Sequence, residues 1–340
     1  MNWKLAIVGC GNWGQNLVRN FFRLLGPERV ICCDLNQQTL WDIKCKYPDI
    51  EVVEDTRCVL EDPSVMAVAI ATPTQTHYSL ARQSLLRGKH VFVEKPLADS
   101  VADAEALCTL AKQRSRVLMV DHLLIFHPAI EKLTELIHAG ELGDICQIYS
   151  RRTNLGVVRS EENVLWSLGP HDVAVMLGIM QDSPTKVTAN GGVYLQPHIG
   201  LHDVVFLTLV FPDGQMGNFH LSWFDPRKTR EITVVGSRKM AVFDDMEPVA
   251  KLRIFDKTFD AKSPEGPPSA YDGGITEIPC SNEEPLTLVC QHFLEGIEEG
   301  RVELCDGTAG LEVVRVLESA QRSLDEDGMP IELPRHVPHG

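Results

Sequence analysis

The sequence predicts an α/β fold in two parts. An N-terminal doubly wound parallel sheet is followed by a C-terminal α+β domain whose large, mainly antiparallel sheet leaves one face open. Three observations carry this expectation. Strand-like and helix-like segments alternate up to Asp121, a Gly-x-Gly-x-x-Gly run follows the first strand directly, and past Asp121 long strand-like runs succeed one another with few helices between.

Each element has a local reason. Short apolar runs at Leu5–Val8, Val30–Cys33, Val65–Ala71, His90–Val93 and Val117–Val120 do not alternate with polar residues, as befits strands buried on both faces. Amphipathic segments at Thr76–Arg87 and Ser100–Arg114 lie between them; Gly88 sits at a helix C-terminal cap, and Ser100 with Asp103 resembles a capping box. Pro128 opens a helix with Ile130, Leu133, Leu136 and Ile137 on one stripe, closed by Gly140. Strand-like runs follow at Ile145–Ser150, Lys186–Ala189, Asp203–Phe211, Gln215–Phe224 and Glu231–Val235, and Phe211-Pro212-Asp213-Gly214 reads as a hairpin connection. Ser263–Pro268 reads as a loop. Helices near Pro285–Glu299 and Thr308–Asp325 close the chain, the second with Val313, Val316, Leu317, Ala320 and Leu324 on one stripe. The expected domains are residues 1–121 and 122–340.

Composition narrows the function classes. A chain of 340 residues can fill two cores, and a net charge of -15 argues against a nucleic-acid surface. No apolar run reaches the ~20 residues that span a bilayer, and Met1-Asn2-Trp3-Lys4 leads straight into a strand without signal-peptide organisation. A cytoplasmic location is expected. The ten cysteines are scattered, with no Cys-x-x-Cys pair, and read as reduced small hydrophobes; no metal site is expected.

The glycine run Gly9-Cys10-Gly11-Asn12-Trp13-Gly14 lies between a strand and a helix-like segment, and Asp34 ends the next strand. Such glycines let backbone approach a pyrophosphate at a helix N-terminus, and the acid accepts hydrogen bonds from the adenosine ribose diol. This is the dinucleotide-binding arrangement of a Rossmann domain. Asp34 repels a 2′-phosphate, so NAD is expected rather than NADP. Ala71-Thr72-Pro73-Thr74-Gln75-Thr76-His77 follows another strand at the same edge; its polar groups either line the cofactor's far end or cap a helix through Thr74 or Thr76.

Two residues stand out as proton carriers. Lys95, in Glu94-Lys95-Pro96, follows a strand at the edge where ligands of open parallel sheets bind. Burial beside a flat apolar ring would lower its pKa towards neutrality, whereas a lysine elsewhere is a solvated surface group. His171, in Trp166-Ser167-Leu168-Gly169-Pro170-His171-Asp172, is suited to take the proton of a hydroxyl as hydride leaves the same carbon, or else packs at a helix start.

The glycine fingerprint, Ala71-Thr72-Pro73 with His77, Glu94-Lys95-Pro96, and Leu168-Gly169-Pro170-His171-Asp172 occur in the order and spacing of one family. Together they resemble the Gfo/Idh/MocA oxidoreductases, and the likeness covers nearly the whole chain. The resemblance implies that Gly9, Gly11, Asn12, Trp13, Gly14, Asp34, Ala71, Thr72, Pro73, His77, Glu94, Lys95 and Pro96 surround NAD, and that Lys95 and His171 are catalytic. It places Tyr149, Arg152, Asn154, Trp166 and Ser167 with Lys95 and His171 about the substrate. Arg152 either pairs with a diphosphate or is solvated; Arg227 and Lys228 serve a diphosphate or the sheet's edge. Ser167 departs from the pattern, since many members carry aspartate four residues before the histidine.

Asp203–Phe211, Trp223-Phe224-Asp225-Pro226-Arg227-Lys228 and Val234-Val235-Gly236-Ser237 are similar to the branch that oxidises nucleotide-linked sugars. That likeness implies a UDP-sugar substrate, UDP-N-acetylglucosamine oxidised to its 3-keto form ahead of amination in a lipid A or surface-glycan precursor route. A UDP-sugar acid, a free sugar or inositol is the nearer alternative. A non-catalytic NAD-binding regulator is the more distant one, suggested by Ser167 and opposed by the retention of Lys95 and His171. The open sheet face is expected to pair subunits as a homodimer or homotetramer.

Overall fold

The computed structural model describes residues 3–260 and 268–334. By its internal contacts the chain divides into two units. One comprises the residues up to Phe126 together with Glu284–Arg315; the other comprises His127–Glu283 and the residues from Val316 onward.

In the first unit, strands β1 (Lys4–Val8), β2 (Val30–Cys33), β3 (Glu51–Val53), β4 (Val65–Ile70), β5 (His90–Val93) and β6 (Leu118–Val120) form a parallel sheet in the order β3-β2-β1-β4-β5-β6. Helices α1 (Gly14–Leu25), α2 (Gln37–Lys46), α3 (Thr56–Glu61), α4 (His77–Leu86) and α5 (Val101–Arg114) alternate with them. Apart from Lys4, Glu51 and His90 the strands are apolar because helices cover both faces; adjacent Cys32 and Cys33 point to opposite faces and both are buried. The Ser100 side chain accepts from the Asp103 N–H at 3.2 Å and fixes the start of α5. β3 gives only a short signal in the sequence, Val52 and Val53 after Glu51. It is an edge strand of three residues, none of them buried.

In the second unit, α6 (Pro128–His138) leads to β7 (Ile145–Leu155), α7 (Val164–Met180), β8 (Lys186–Gly192), β9 (Val204–Val210), β10 (Met216–Ser222), β11 (Phe224–Gly236), β12 (Met240–Asp244), β13 (Leu252–Asp260) and β14 (Ser269–Ile278). Helices α8 (Pro285–Glu299) and α9 (Gly307–Asp325) precede the short β15 (Ile331–Glu332). Among the described residues the sheet has nine strands, β14-β13-β12-β11-β7-β10-β9-β8-β15, and every neighbouring pair is antiparallel except β7 with β10. α7 packs on one face, against β7, β9 and β10. The other face carries exposed Tyr149, Phe206 and Met216, with Phe206 stacked on His220 at 4.4 Å between ring centroids.

Two expectations need correction. The domain boundary falls between Phe126 and His127 rather than at residue 121, and Glu284–Arg315 returns to the first unit. The reason lies in α8: Leu286, Val289, Cys290, Phe293 and Ile297 are buried in the first core, where Phe293 packs on Phe21 and Phe92. The antiparallel sheet is also larger than the sequence suggests. β13 and β14 give little signal because they are mixed in polarity, β14 being exposed along nearly its whole length; β12 does carry an apolar run, Met240 to Phe243, that the strand-like runs above leave out. Residues 263–267 of the expected loop lie outside the described residues. No disulfide joins any of the ten cysteines.

Candidate active site

The glycine fingerprint forms the turn between β1 and α1. Gly9 adopts φ +86°, and a Cβ there would stand 2.8 Å from the Ala71 carbonyl group; one on Gly14 would stand 2.0 Å from the Gly9 oxygen. The inner side of the loop is sealed by backbone. Gly11 is the opposite case, exposed and with nothing within 4 Å of an added Cβ. At the start of α1 no side chain caps the helix and its first turn holds no acid. An uncapped, acid-free N-terminus behind an open glycine suits an anionic pyrophosphate. Asn12 and Trp13 are exposed on the same turn.

Asp34 follows β2 and is half-buried. Its Oδ2 accepts the Cys10 N–H at 2.7 Å and its Oδ1 accepts the Asn36 N–H at 2.8 Å. These bonds aim the carboxylate beside the glycine turn while each oxygen keeps a lone pair for a ribose hydroxyl. The residues present therefore fit NAD.

The Ala71–His77 segment does not cap a helix. Neither the 3₁₀ turn Thr74–Thr76 nor α4 has a side-chain cap; the Thr76 hydroxyl instead lies 2.6 Å from the Thr72 hydroxyl and donates to the Pro73 carbonyl at 2.7 Å. His77 is buried, with Nδ1 2.8 Å from the Pro96 oxygen and Nε2 2.9 Å from the Thr72 oxygen. Burial holds its pKa below the usual imidazole value. It thus ties the segment after β4 to the one after β5.

Glu94, Lys95 and Pro96 follow β5, and the Lys95–Pro96 peptide bond is cis. Lys95 is half-buried; Pro96 is buried. The Trp13 Nε1–H donates to Glu94 Oε1, tying the glycine turn to the lysine segment. Glu94 is buried and its carboxyl is raised well above the usual range, by desolvation first and then by repulsion from Asp121. Asp121, fully buried at the end of β6, is pushed up by burial to about 6. Neighbouring His122 is also buried, and burial followed by the charge of Lys95 lowers its pKa to about 3. Sequence reasoning passed over Asp121. The signal was present, because Asp121 ends an apolar parallel strand at the same sheet edge as Lys95.

In the second unit, Asn163 caps α7 by accepting the Trp166 N–H at 3.2 Å. Trp166 donates its indole N–H to Gln321 Oε1 at 3.3 Å, and Asn163 Nδ2 donates to the same oxygen at 2.7 Å. Ser167 is buried one turn before half-buried His171, so the two lie on one side of α7. Among the described residues no group of three or more His, Cys, Asp or Glu gathers as a metal site.

The structure corrects two substrate expectations here. Arg152 is neither solvated nor available to a diphosphate: its Nε and Nη2 donate to Asp172 Oδ2 and Oδ1 at 2.6 and 2.8 Å, with both side chains buried. Tyr149 lies on the opposite sheet face from Arg152 and Asn154, because successive strand residues alternate; its register partners are Asn218 and Thr233. Asn154 leans over Gly156, whose added Cβ would meet its amide at 2.5 Å. Arg227 and Lys228 are exposed in the irregular stretch of β11, where Asp225 accepts the Arg227 N–H at 2.9 Å and an Arg151 bond at 3.0 Å.

Comparison with known proteins agrees with this architecture. A family model described as the GFO/IDH/MocA oxidoreductase family, NAD-binding Rossmann fold, matches residues 3–122, and the GFO/IDH/MocA C-terminal domain model matches residues 130–242. UDP-N-acetylglucosamine 3-dehydrogenase of Acidithiobacillus ferrooxidans is 27% identical over 251 residues, 74% of this chain and 76% of that protein. The NAD(+)-dependent scyllo-inositol 2-dehydrogenase of Bacillus subtilis is 25% identical over 342 residues, 97% of this chain and 96% of its own. A solved structure of UDP-N-acetylglucosamine 3-dehydrogenase from Acidithiobacillus ferrooxidans has a TM-score of 0.82 at 22% identity, covering 96% of this chain and 99% of that one, a likeness of fold.

Proposed function

The chain belongs to the Gfo/Idh/MocA oxidoreductase family, and from that premise we propose that it oxidises a sugar hydroxyl of a nucleotide sugar, the 3-hydroxyl of UDP-N-acetylglucosamine, ahead of amination. Its first domain is an NAD-binding Rossmann fold. The observation that carries the catalytic reading is Lys95, half-buried at the carboxyl end of β5 and linked through Glu94 and Trp13 to the glycine turn. The substrate class rests on the relative that oxidises UDP-N-acetylglucosamine, 27% identical over 74% of the chain.

NAD held by the glycine turn and Asp34 would supply the acceptor for the hydride of the carbinol carbon. Lys95 and His171 share the handling of the hydroxyl proton, and general-base help of this kind is worth roughly 10²–10⁴ in rate. Ser167, one turn from His171, stands where many family members use a carboxylate; its hydroxyl holds the substrate oxygen without adding charge. A free sugar or inositol is the second reading, supported by the inositol dehydrogenase that matches 97% of the chain. Incubation with NAD and a panel of UDP-sugars, free sugars and inositols, followed by nicotinamide absorbance and product analysis, decides between them. Turnover of UDP-N-acetylglucosamine to a 3-keto product is expected; turnover of inositol alone transfers the assignment to the second reading.

The same reading includes self-association through the open sheet face, as a homodimer or homotetramer. That face combines exposed Tyr149, Phe206 and Met216 with charges of both signs, Arg151 and Arg253 beside Glu231 and Glu277, a surface able to complement itself. A light-scattering mass of one chain at micromolar concentration would remove this part of the proposal.

A further inference from the structure

Four polar side chains meet in the first unit where an apolar core would be expected. β5 and β6 are in register at Val93 and Val120, so the residues that follow them, Glu94 and Asp121, stand side by side. Their backbones are anchored: the Glu94 N–H donates to the Ile70 carbonyl at 2.9 Å, and the Asp121 N–H to the Val93 carbonyl at 2.8 Å. Relative exposures are 8% for Glu94, 0% for Asp121 and 1% for His122. Glu94 receives the Trp13 indole N–H, yet no hydrogen bond of good geometry reaches either Asp121 oxygen or either His122 ring nitrogen. Two carboxylates this close in a dry interior do not both ionise unless a cation pairs with each. The nearby cation is Lys95, whose charge acts on Glu94, Asp121 and His122. The other groups facing the pair are the buried thiols of Cys290 on α8 and of Cys305, both held protonated by burial.

We propose that Glu94 and Asp121 form a proton-sharing carboxyl pair that serves as a single counter-charge to Lys95, with both acids acting as positioning residues. One shared proton leaves the pair with one negative charge, and the Lys95 ammonium balances it. This rests on the catalytic reading of Lys95 above and sharpens it. Lys95 then meets the substrate oxygen as a cation, which sets the charge it brings to the shared handling of the hydroxyl proton. His122, neutral and buried beside the pair, adds no charge. The burial-raised pKa values of both acids agree with one retained proton near neutral pH.

The test has two arms, both on the full chain. Infrared difference spectra without substrate read the C=O stretch of a protonated buried carboxyl. The parent protein is expected to show this band at neutral pH, and both Asp121→Asn and Glu94→Gln to lose it, because a single remaining acid ionises against Lys95. A parent lacking the band, or a band surviving in both folded variants, overturns the pair. The second arm is the pH profile of NAD reduction with whichever sugar turns over. Asp121→Asn should displace the acidic limb of kcat/KM by about one pH unit or abolish it, and Lys95→Arg should keep at least ten times the rate of Lys95→Ala. Equal rates for those two lysine variants would overturn the cationic role of Lys95. If no sugar turns over while the infrared band behaves as stated, the catalytic reading fails and the carboxyl pair stands.

Discussion

Each unit buries charge, and the two do so in opposite ways. In the second unit the Arg152 guanidinium forks onto Asp172 through two bonds of 2.6 and 2.8 Å, so the interior sees a neutral, fully bonded pair. In the first unit Glu94 and Asp121 are of like charge, and neither carboxyl oxygen of the second receives a hydrogen bond of good geometry. A buried opposite-charge pair holds elements together, here α7 to β7. A buried like-charge pair stores a proton and a perturbed pKa, which is how titratable groups at reaction centres are prepared. On the reading proposed above, the contrast separates a charged residue that builds the fold from one that serves chemistry, although both are buried.

The largest effect expected from breaking this contrast falls on Lys95. Lys95→Ala should lower kcat by roughly 10³-fold while NAD binding, read by quenching of tryptophan fluorescence, persists. An unchanged rate would return Lys95 to the status of a surface group. Next comes the bonded pair: Arg152→Ala leaves Asp172 buried and uncompensated and should cost about 3–5 kcal/mol in denaturant unfolding. Replacing both, Arg152→Met with Asp172→Leu, should cost much less. If the single and double variants unfold alike, the pair does not hold α7.

The smallest effect, and the most diagnostic, concerns pH and stability. Asp121 is pushed up to about 6, so between roughly 4 and 6 the folded chain keeps a proton that the unfolded chain has lost. That term weakens the fold as pH rises through this window. His122 is lowered to about 3, so from roughly 6.5 down to 3 the unfolded chain gains a proton that the folded one refuses, and stability is lost as pH falls. The two slopes oppose each other where they overlap. Asp121→Asn should therefore raise stability at pH 7 by on the order of 2 kcal/mol and steepen the loss on acidification, both readable as Tm against pH. A variant with the parent's slope would show that Asp121 ionises normally.

Much of the first unit was legible because its signals are local. Ser100 caps α5, the glycines turn the chain at β1, and five of six parallel strands announce themselves as apolar runs. The antiparallel sheet was legible only in its buried half, since β13 and β14 carry residues that any exposed loop could carry. Lys95 and His171 were singled out from strand-end and helix-start logic. Asp121 was missed although it obeys the same strand-end rule. Arg152 was misread because an arginine in a strand carries no mark of its partner 20 residues away.

The amino-acid order alone determined the parallel sheet, the nucleotide turn with its acid at Asp34, and the lysine at the strand's end, because each depends on neighbours in the chain. Only the tertiary structure decided that α8 completes the first core, that Arg152 is spent on Asp172, that Tyr149 faces away from Asn154, and that Glu94 meets Asp121. These depend on strand register and on the low dielectric of the interior. Both arise only when distant segments pack.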